Sequence, residues 1–364
     1  MLSVSHPDEP AVTLPGPTLD RSVRLDHDAV RILDRRVFPH QEVWVAARDD
    51  VEVATAIRTM VTQSSGPTYA ALAAMTLAAR QHAADPPATA LAALRLAAAR
   101  LTAARPTNNG VRDAVAGVLA DLNGAGITGG AGTTGGTAAI VAQAEKTAAQ
   151  LAEAYRRRSR ALGRHTAGLL PDGATVLTHC WMDTYLIELV RAAETAGKRF
   201  RWIATETRPY LQGARLTAHT LAEMGQDVTL ITDGMVAAIL SPRSTLGRVD
   251  ALVTAADRVS MDGHVFNKVG TLGAAVAAHA FGVPYYALVH APDPQAPTAA
   301  DVVVEERDGT EVLAALGART ASPLVTHGHY PAFDVTPPEF VTRVVTDRGA
   351  YAPQNVSAYH EEAG

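Results

Sequence analysis

The stretch GATVLTHC (173–180) opens a series of short apolar runs in the second half of the chain. The other three runs are FRWIATE (200–206), DVTLITD (227–233) and VDALVTAADRV (249–259). A pattern typical of an amphipathic helix follows each run, as in NKVGTLGAAVAAHAFG (267–282). Short apolar runs that alternate with such helices predict a parallel β-sheet with helices on its faces.

The polar residues that close these runs mark one edge of the expected sheet. They lie at or just past the ends of the four predicted strands and are Cys180, Glu206, Asp233 and Asp257. Parallel strands present their carboxyl ends at the same edge, and the ligands of such sheets bind outside that edge. The sequence therefore predicts a functional site there.

The first half of the chain has a different pattern. Residues 22–48 alternate as short antiparallel strands do, and residues 50–122 carry alanine-rich helical patterns. The expected fold class is α/β, a Rossmann-like parallel sheet domain preceded by a smaller, mainly helical domain with a few short strands. The predicted parts are a flexible tail (1–17), the helical domain (18–138), a bridging helix (139–170) and the catalytic domain (171–364).

Composition narrows the class of protein. The 364 residues carry a net charge of −5, without the basic excess that binds nucleic acid. No apolar run is long enough to span a membrane, and the N-terminus lacks the pattern of a secretory signal. A single cysteine excludes an internal disulfide and a cysteine-built metal site. We expect a cytoplasmic protein with neither nucleic acid nor membrane as partner.

A glycine-rich segment lies between the two halves. NGAGITGGAGTTGGTAA (123–139) contains the spacing Gly124-x-Gly126-x-x-Gly129 of dinucleotide-binding loops. Such a loop needs a strand before it and a helix after it, whereas a helical pattern precedes this one. We interpret the segment as a mobile loop or linker. The first predicted strand of the sheet also lacks a glycine turn after it, which opposes a Rossmann dehydrogenase.

Cys180 and Asp257 are the candidates for catalysis. A lone cysteine is most often a small buried hydrophobe, but Cys180 ends a buried strand and precedes a helix start, a position that favours the thiolate. An aspartate after a strand is most often a turn or cap residue. Asp257 lies within a strand end, where partial burial would raise its pKa. A thiolate that faces a protonated carboxyl forms an acid–base pair.

Other polar residues are candidates for binding a substrate. Asn267 and Lys268 open a predicted helix, and a lysine beside helix amides can hold phosphate or sugar hydroxyls. Arg105, and Arg208 with Gln212 four residues later on one predicted helix face, have the same potential. Each of these residue types is more often solvated surface. The thirteen histidines show no metal-ligand spacing, so we predict no metal.

Four segments of the C-terminal half resemble one known family. They are ETRPYLQGARLTA (206–218), VTLITDGM (228–235), AADRVSMDGHVFNKVGT (255–271) and YPAFDVTPPE (330–339). They are similar to segments of the methylthioribose-1-phosphate isomerase family. That family is homologous to the regulatory alpha, beta and delta subunits of initiation factor 2B and to ribose-1,5-bisphosphate isomerase. The resemblance covers about residues 20–350, because LDRRVFPHQEVWV, VEVATAIRTMV and RPTNNGV agree in outline.

The resemblance implies a homodimer that converts a ribose-type sugar 1-phosphate into the ketose 1-phosphate, without metal or other cofactor. Cys180 matches the cysteine of the family's T-H-C motif, and Asp257 matches the aspartate of its A-D-R motif; these form the family's catalytic pair. The positions that match residues holding the phosphate or hydroxyls of the substrate are Arg105, Gln212, Asn267 and Lys268. Transfer of the C2 proton to the thiolate and a hydride shift are both consistent with this sequence.

The chain departs from the family at two places. The isomerases carry a phosphate-binding R-G-A-P-A-I-G segment where this chain has Ser64-Ser65-Gly66-Pro67-Thr68-Tyr69-Ala70. Loss of a bidentate arginine would weaken phosphate binding by about 1.5–3 kcal/mol, and Ser64, Ser65 and Gly66 would bind with hydroxyls and amides instead. Trp181-Met182-Asp183 stands where the family prefers small polar residues. Both changes predict an atypical or C5-modified ribose as substrate.

Two further functions are consistent with the resemblance. A ribose-1,5-bisphosphate isomerase needs two phosphate sites, which the missing arginine in residues 64–70 opposes. A non-catalytic ligand-sensing or regulatory protein of the initiation-factor type has no need for both Cys180 and Asp257. The presence of that pair favours the isomerase.

Overall fold

The computed structural model describes residues 20–106, 109–125 and 136–361. These residues divide into two compact units, one that ends at Arg157 and one that begins at Arg158. The division falls within a single helix of 34 residues, Gly136–Leu169. The predicted tail, residues 1–17, lies outside the described residues.

The N-terminal unit is a small antiparallel sheet followed by packed helices. Its strands are β1 (Val23–Leu25), β2 (Val30–Leu33) and β3 (Trp44–Ala47), paired in that order. Its helices are α1 (Asp50–Arg58), α2 (Gly66–Gln81), α3 (Pro87–Ala104), α4 (Asn109–Gly124) and the first part of α5 (Gly136–Leu169). Alanine side chains let the helices pack closely around larger residues such as Leu94, Leu101 and Ile140, which are fully buried.

The C-terminal unit alternates strands and helices along the chain. Its strands are β4 (Thr175–Thr178), β5 (Arg201–Thr205), β6 (Asp227–Ile231), β7 (Ala251–Ala255), β8 (Arg258–Val259), β9 (Val265–Lys268), β10 (Tyr285–Leu288), β11 (Glu306–Arg307), β12 (Ala314–Ala315), β13 (Ala318–Arg319), β14 (Tyr330–Pro331), β15 (Phe333–Thr336), β16 (Arg343–Val345) and β17 (Ala350–Tyr351). Its helices are the end of α5 and α6 (Thr184–Thr195), α7 (Ala218–Glu223), α8 (Val236–Leu240), α9 (Thr271–Ala280) and α10 (Ala358–Glu361).

Seven of these strands form the main sheet, in the order β17-β16-β10-β7-β4-β5-β6. All neighbours are parallel except β16 and β17 at one edge. Numbered along the chain, the six parallel strands lie in the order 3-2-1-4-5-6, which is the order of doubly wound α/β folds. The predicted α/β class, with a parallel sheet preceded by a mainly helical part, is confirmed.

The strand order places a switch point between β4 and β7. These two strands are neighbours in the middle of the sheet, and the chain winds away from them in opposite directions. Both are buried over most of their length, as expected for strands covered on both faces. On one face α5 and α6 touch at backbone distance, since a Cβ on Gly163 would lie 2.5 Å from the Glu188 carbonyl oxygen. A crevice between diverging connections is where doubly wound sheets bind ligands.

One prediction is wrong for a strand in the smaller antiparallel sheets. Asn267 and Lys268 do not open a helix. They end β9, which pairs with β8 and β15, and α9 begins at Thr271. Strand β9 is buried at all four of its positions, and the Asn267 and Lys268 side chains are each only 3% exposed.

The glycine-rich segment is only partly described. Helix α4 extends to Gly124, so a helix and not a strand precedes the segment, as the sequence predicts. Gly126 and Gly129 lie outside the described residues. In the part of the chain that is described, no helix is both long and apolar enough to cross a membrane.

Candidate active site at the carboxyl edge of the sheet

Cys180 lies two residues past the end of β4 in a strained backbone conformation. Its φ is +67°, in the left-handed region, which costs a residue with a side chain roughly 1–2 kcal/mol. Asp183, Thr207 and Leu211 share a positive φ, and these four make up most of the seven such non-glycine residues in the described chain. All four lie in the loops that follow β4 and β5. Strain of this kind persists where the surrounding structure enforces it, and it concentrates at functional sites.

A chain of hydrogen bonds fixes the backbone of Cys180. Its amide donates to Thr207 Oγ1 at 3.0 Å, and the two hydroxyls of Thr207 and Thr205 lie 3.3 Å apart. Thr205 Oγ1 lies 2.7 Å from His179 Nδ1, and His179 Nε2 lies 2.9 Å from the Val269 carbonyl. Because a carbonyl only accepts, Nε2 carries the hydrogen and Nδ1 accepts from Thr205. These contacts join the loop after β4 to the loops after β5 and β9.

In this series of hydrogen bonds, His179 is a neutral group. Its side chain is 2% exposed, and burial lowers its pKa below the ordinary value, although the Asp233 carboxylate at 3.9 Å opposes that effect. A buried neutral imidazole with both nitrogens in hydrogen bonds has no proton to exchange with substrate. Its part is to hold the loop that carries Cys180.

A π-helix covers the other side of the Cys180 backbone. It spans Gly213–Thr217, and the Thr217 hydroxyl donates to the Cys180 carbonyl. Gly213 must be glycine, because a Cβ there would lie 1.7 Å from the Thr205 carbonyl oxygen and 2.8 Å from Thr207 Oγ1. Such helices occur mostly as single turns, and they are frequent at functional sites.

Asp257 occupies the matching place after β7. It lies between β7 and β8, and its amide donates to the Phe266 carbonyl at 2.9 Å. The expectation that Asp257 sits inside a strand end and is half desolvated is wrong, because the residue is exposed. Strand β7 ends at Ala255, which leaves the aspartate on the turn. Since β4 and β7 are adjacent strands, about 4.8 Å apart, the loops of Cys180 and Asp257 leave the sheet side by side.

Lys268 lies against an aromatic surface at the same edge. Its ammonium is 4.5 Å from the Phe333 ring centroid and 5.8 Å from that of Tyr330. Its neighbour Asn267 donates to Thr271 Oγ1 at 3.0 Å, at the start of α9. A cation over aromatic faces is stabilised without losing its charge, so Lys268 remains a candidate for binding an anionic group.

Asp334 caps the helix that follows Lys268. Its Oδ2 accepts from the amides of Gly270 at 2.7 Å and Leu272 at 3.0 Å. Burial raises its pKa to about 6, against the opposing effect of these amides and of Lys268. The turn that Asp334 holds contains Val269, whose carbonyl accepts from His179.

The prediction that Arg208 and Gln212 lie on one shared helix face is wrong. The helical part begins at Gly213, so Arg208 precedes it, and its guanidinium donates to the carbonyls of Val312 and Ala314 at 3.0 Å each. Gln212 is 2% exposed, and its Oε1 has no hydrogen-bond donor among the described residues. Gln212 therefore remains a candidate substrate ligand, whereas Arg208 holds a neighbouring loop.

The remaining predicted binding residues belong to the N-terminal unit. Ser64 has a φ of +56° and leads through the buried Ser65 into Gly66, the first residue of α2. A Cβ on Gly66 would lie 2.1 Å from Thr62 Oγ1. Arg105, 8% exposed, follows the last residue of α3. A helix N-terminus attracts anions through its dipole, and the phosphate role of this turn stays a prediction.

Several residues of the site were not predicted from sequence. His179 and Thr207 lie in segments that carry the resemblance and Thr205 directly precedes one of them, but none of the three is assigned a supporting role from the sequence. Within residues 20–106, 109–125 and 136–361, no three His, Cys, Asp or Glu side chains are grouped to hold a metal ion.

Fold and site define a two-unit α/β protein with a thiol and a carboxylate at the switch point of a doubly wound sheet. Residues 61–353 match the model of the Initiation factor 2 subunit family. The chain belongs to this family, which confirms the resemblance seen in its motifs.

Curated relatives cover almost the whole chain. The methylthioribose-1-phosphate isomerase of Syntrophotalea carbinolica is 38% identical over 339 residues, 88% of this chain and 92% of the relative. That of Chloroflexus aurantiacus is 36% identical over 356 residues, 94% of this chain and 98% of the relative.

Two solved structures have the same fold. The 5-methylthioribose 1-phosphate isomerase from Pyrococcus horikoshii OT3 superposes with a TM-score of 0.81 at 27% identity and covers 97% of each chain. The translation initiation factor eIF-2B, subunit delta, from A. fulgidus gives 0.75 at 32% identity, over 94% of this chain and 96% of the other.

Proposed function

We propose that this protein is an aldose–ketose isomerase that converts a ribose-type sugar 1-phosphate into the ketose 1-phosphate. The observation that carries the proposal is the placement of Cys180 and Asp257 after adjacent strands at the switch point of the sheet. Isomerase relatives that match nearly the full chain support the enzyme class.

The chemistry requires an acid and a base. The anomeric carbon of a sugar 1-phosphate is blocked, so the ring does not open by itself. Asp257 gives a proton to the ring oxygen as the bond from C1 to that oxygen breaks, and the Cys180 thiolate takes the C2 proton to form a C1=C2 double bond. The thiol then returns the proton to C1, and the C2 hydroxyl gives its proton to Asp257 as the ketone forms. Both groups return to their starting state.

The strained loop of Cys180 suits the role of base. A base must be aimed at one carbon-bound hydrogen, and a misplacement of about 1 Å can cost a factor of about 100 in rate. Hydrogen bonds to both the amide and the carbonyl of Cys180 hold it in place. A hydride shift from C2 to C1 is the alternative route, with Cys180 in the wall of the pocket.

We further propose an atypical or C5-modified ribose as the substrate. Trp181 and Met182, where the family prefers small polar residues, are 4% and 1% exposed. Bulk at these positions changes the space beside Cys180, so the preferred substituent differs from methylthio.

Binding of the substrate's phosphate and hydroxyls is assigned by proposal to Ser64, Ser65, Gly66, Arg105, Gln212, Asn267 and Lys268. The turn before α2 can be tested alone with inorganic phosphate. Ser64→Arg restores the arginine of the family and is expected to lower the Kd for phosphate about 10-fold, by calorimetry. An unchanged Kd removes this turn from the phosphate site.

The proposal extends to the organisation of the protein. We propose a catalytic domain of residues 171–364, an N-terminal domain of residues 18–138, a bridging helix of residues 139–170, a homodimeric state and a cytoplasmic location. Sedimentation of the purified chain tests the homodimer.

An NMR assay with a panel of sugars tests the activity. The panel holds methylthioribose 1-phosphate, ribose 1-phosphate, 5-deoxyribose 1-phosphate, ribose 1,5-bisphosphate and the unphosphorylated sugars. We expect conversion of at least one aldose 1-phosphate to its ketose, and no conversion by Cys180→Ser. Turnover of ribose 1,5-bisphosphate above all others would favour the second isomerase activity.

A ligand-sensing or regulatory protein is the second candidate function. The similarity to the delta subunit of eIF-2B from A. fulgidus supports it. If the wild-type protein converts none of the sugars in the panel but binds one of them saturably, the result favours this candidate over the isomerase.

A further inference from the structure

Tyr330 contains a buried polar atom that its surroundings do not satisfy. The residue opens β14 and is 2% exposed, and its hydroxyl has no hydrogen-bond partner among the described residues. Buried hydroxyls in folded proteins are nearly always paired, because an unpaired one loses its hydrogen bonds to water without replacement. Phenylalanine would fill the same space without this cost. The hydroxyl therefore calls for a reason other than stability.

The tyrosine ring is held firmly in its place. Its ring centroid lies 6.0 Å from that of Tyr210 in an edge-to-face arrangement. In the β11–β14 pair Tyr330 stands opposite Arg307, which forms ion pairs with Glu305 at 3.2 Å and Glu311 at 3.3 Å. A side chain supported in this way by its neighbours keeps its hydroxyl at a fixed point.

The tyrosine is linked to the loop of Cys180 through Val269. Val269 packs against the apolar cluster of Tyr330, and the Val269 carbonyl accepts from His179, the residue before Cys180. Burial raises the pKa of Tyr330 well above its ordinary value, and negative charges on Tyr210, Cys180 and Glu311 add to the effect. The hydroxyl thus keeps its proton and is available as a hydrogen-bond donor.

We propose that the Tyr330 hydroxyl donates a hydrogen bond to the C2 oxygen of the substrate and is a further catalytic residue of the isomerisation. The inference rests on the proposed function. Cys180 can take the hydrogen of C2 only if C2 lies against the thiolate, which puts the oxygen bonded to C2 in the same space. That oxygen becomes the ketone oxygen, and a donor aimed at it stabilises the negative charge that develops as its proton leaves. No proton leaves Tyr330.

The substitution Tyr330→Phe tests the role, with Tyr285→Phe as a matched control. Tyr285 is 1% exposed, and its hydroxyl is hydrogen-bonded to Thr254 Oγ1 at 2.8 Å. We expect Tyr330→Phe to keep or raise the Tm and to lower kcat about 100-fold with little change in KM. Tyr285→Phe should lower the Tm and leave kcat within twofold. A kcat within threefold of wild type in Tyr330→Phe overturns the inference, as does a loss of activity that follows a fall in Tm.

A second measurement needs no substrate. Cys180 is the only cysteine, so alkylation by iodoacetamide reports on its thiol alone. Without the neighbouring donor the thiolate is less stabilised, and the midpoint of the pH dependence of alkylation should rise in Tyr330→Phe but not in Tyr285→Phe.

The two proposals fail in different ways. Absence of turnover by the wild-type protein rejects the proposed function, and the alkylation midpoint then decides whether the Tyr330 hydroxyl faces the thiol. Normal turnover by the wild type with normal turnover by Tyr330→Phe rejects the inference alone. An unchanged alkylation midpoint in Tyr330→Phe also rejects it.

Discussion

Two loops at the switch point carry the candidate catalytic pair, and they are built very differently. The thiol loop, residues 179–183, has its middle fixed by buried hydrogen bonds and begins with a residue at 2% exposure. The carboxylate loop, residues 256–257, is a short turn whose aspartate is exposed. The comparison shows that adjacent strands can present one residue in a preformed position and another in contact with solvent.

The difference matches the two tasks of the proposed reaction. A base that removes a carbon-bound hydrogen must be aimed, and the strain and burial of the thiol loop achieve this. The acid takes its proton back from the C2 hydroxyl within the same cycle, and its loop is exposed to solvent. We therefore expect changes in the surroundings of Cys180 to affect activity more than changes around Asp257.

The largest expected effect is loss of either catalytic group. Cys180→Ser and Asp257→Asn should each lower kcat by a factor of about 1000 or more, because an acid or base contributes about 100 to 10,000 in rate. Both variants should keep the wild-type Tm, since neither removes apolar volume. NMR turnover and circular dichroism provide the two measurements. Near-normal turnover in one variant would assign the chemistry to the other loop alone.

A smaller effect is expected from added bulk beneath the thiol loop. In Gly213→Ala the new Cβ would meet the Thr205 carbonyl oxygen at 1.7 Å, so the backbone must shift. We expect a loss of about 3 kcal/mol or more in the free energy of unfolding, by urea denaturation.

The matched control for this change is Gly273→Ala in α9. A Cβ at Gly273 would meet no atom within 4 Å, and alanine in a helix should stabilise the protein by about 0.5–1 kcal/mol. Equal stability of the two variants would show that a Cβ at residue 213 does not clash with the Thr205 carbonyl oxygen.

A pH-dependent effect is expected at Asp334, which supports the turn that receives His179. Its pKa is about 6 in the folded chain against an ordinary 3.8, so the folded state binds the proton more tightly than the unfolded state. Folding stability is therefore lost as the pH rises from about 4 to about 6, by about 2–3 kcal/mol. Asp334→Asn removes this loss, and the stability of the variant relative to wild type should increase over that range.

Denaturation at pH 4, 5, 6 and 7 measures the relative stability, with Asp308→Asn as control. The Thr310 amide donates to Asp308 and lowers its pKa below the ordinary 3.8, so the stability of this variant relative to wild type should change little from pH 4 to pH 7, where Asp308 is largely ionised in both the folded and the unfolded state. The same pH trend in both variants would show that Asp334 does not have a raised pKa.

The smallest expected effect comes from the hydroxyl that accepts from the Cys180 amide. Thr207→Val removes this acceptor but keeps the shape of the side chain. We expect kcat to fall about 10-fold, equivalent to about 1.4 kcal/mol, as the thiol loop loses one constraint. Thr195→Val, at an exposed threonine in the last turn of α6, should leave kcat unchanged. An unchanged kcat in Thr207→Val would mean that the remaining contacts fix the loop alone.

The sequence predicts the arrangement of strands and helices better than the surroundings of individual side chains. The alternation of apolar runs and helices predicts the parallel sheet, and the polar residues after those runs predict its functional edge. The exposure of Asp257 could not be predicted, because it depends on whether β7 ends at Ala255 or two residues later. The strand position of Asn267 and Lys268 was missed because their partner, β15, lies more than 60 residues away in the chain.

The residues that hold the backbone of Cys180 could not be predicted for a related reason. The hydrogen-bonding roles of His179, Thr205 and Thr207 arise only when β4, β5 and β9 come together. Tyr330 lies in YPAFDVTPPE, a segment that the resemblance picked out without giving its tyrosine a role.

The pairing of β4 with β7 also has a consequence for the time at which the site comes into being. Asp257 follows Cys180 by 77 residues, which a ribosome adds in about 4–15 s at typical rates of synthesis. During this interval the nascent chain holds its only thiol without the carboxylate, and the adjacent place in the sheet is still empty. The candidate catalytic pair therefore cannot form by local folding, and its formation shows that the middle of the sheet has closed.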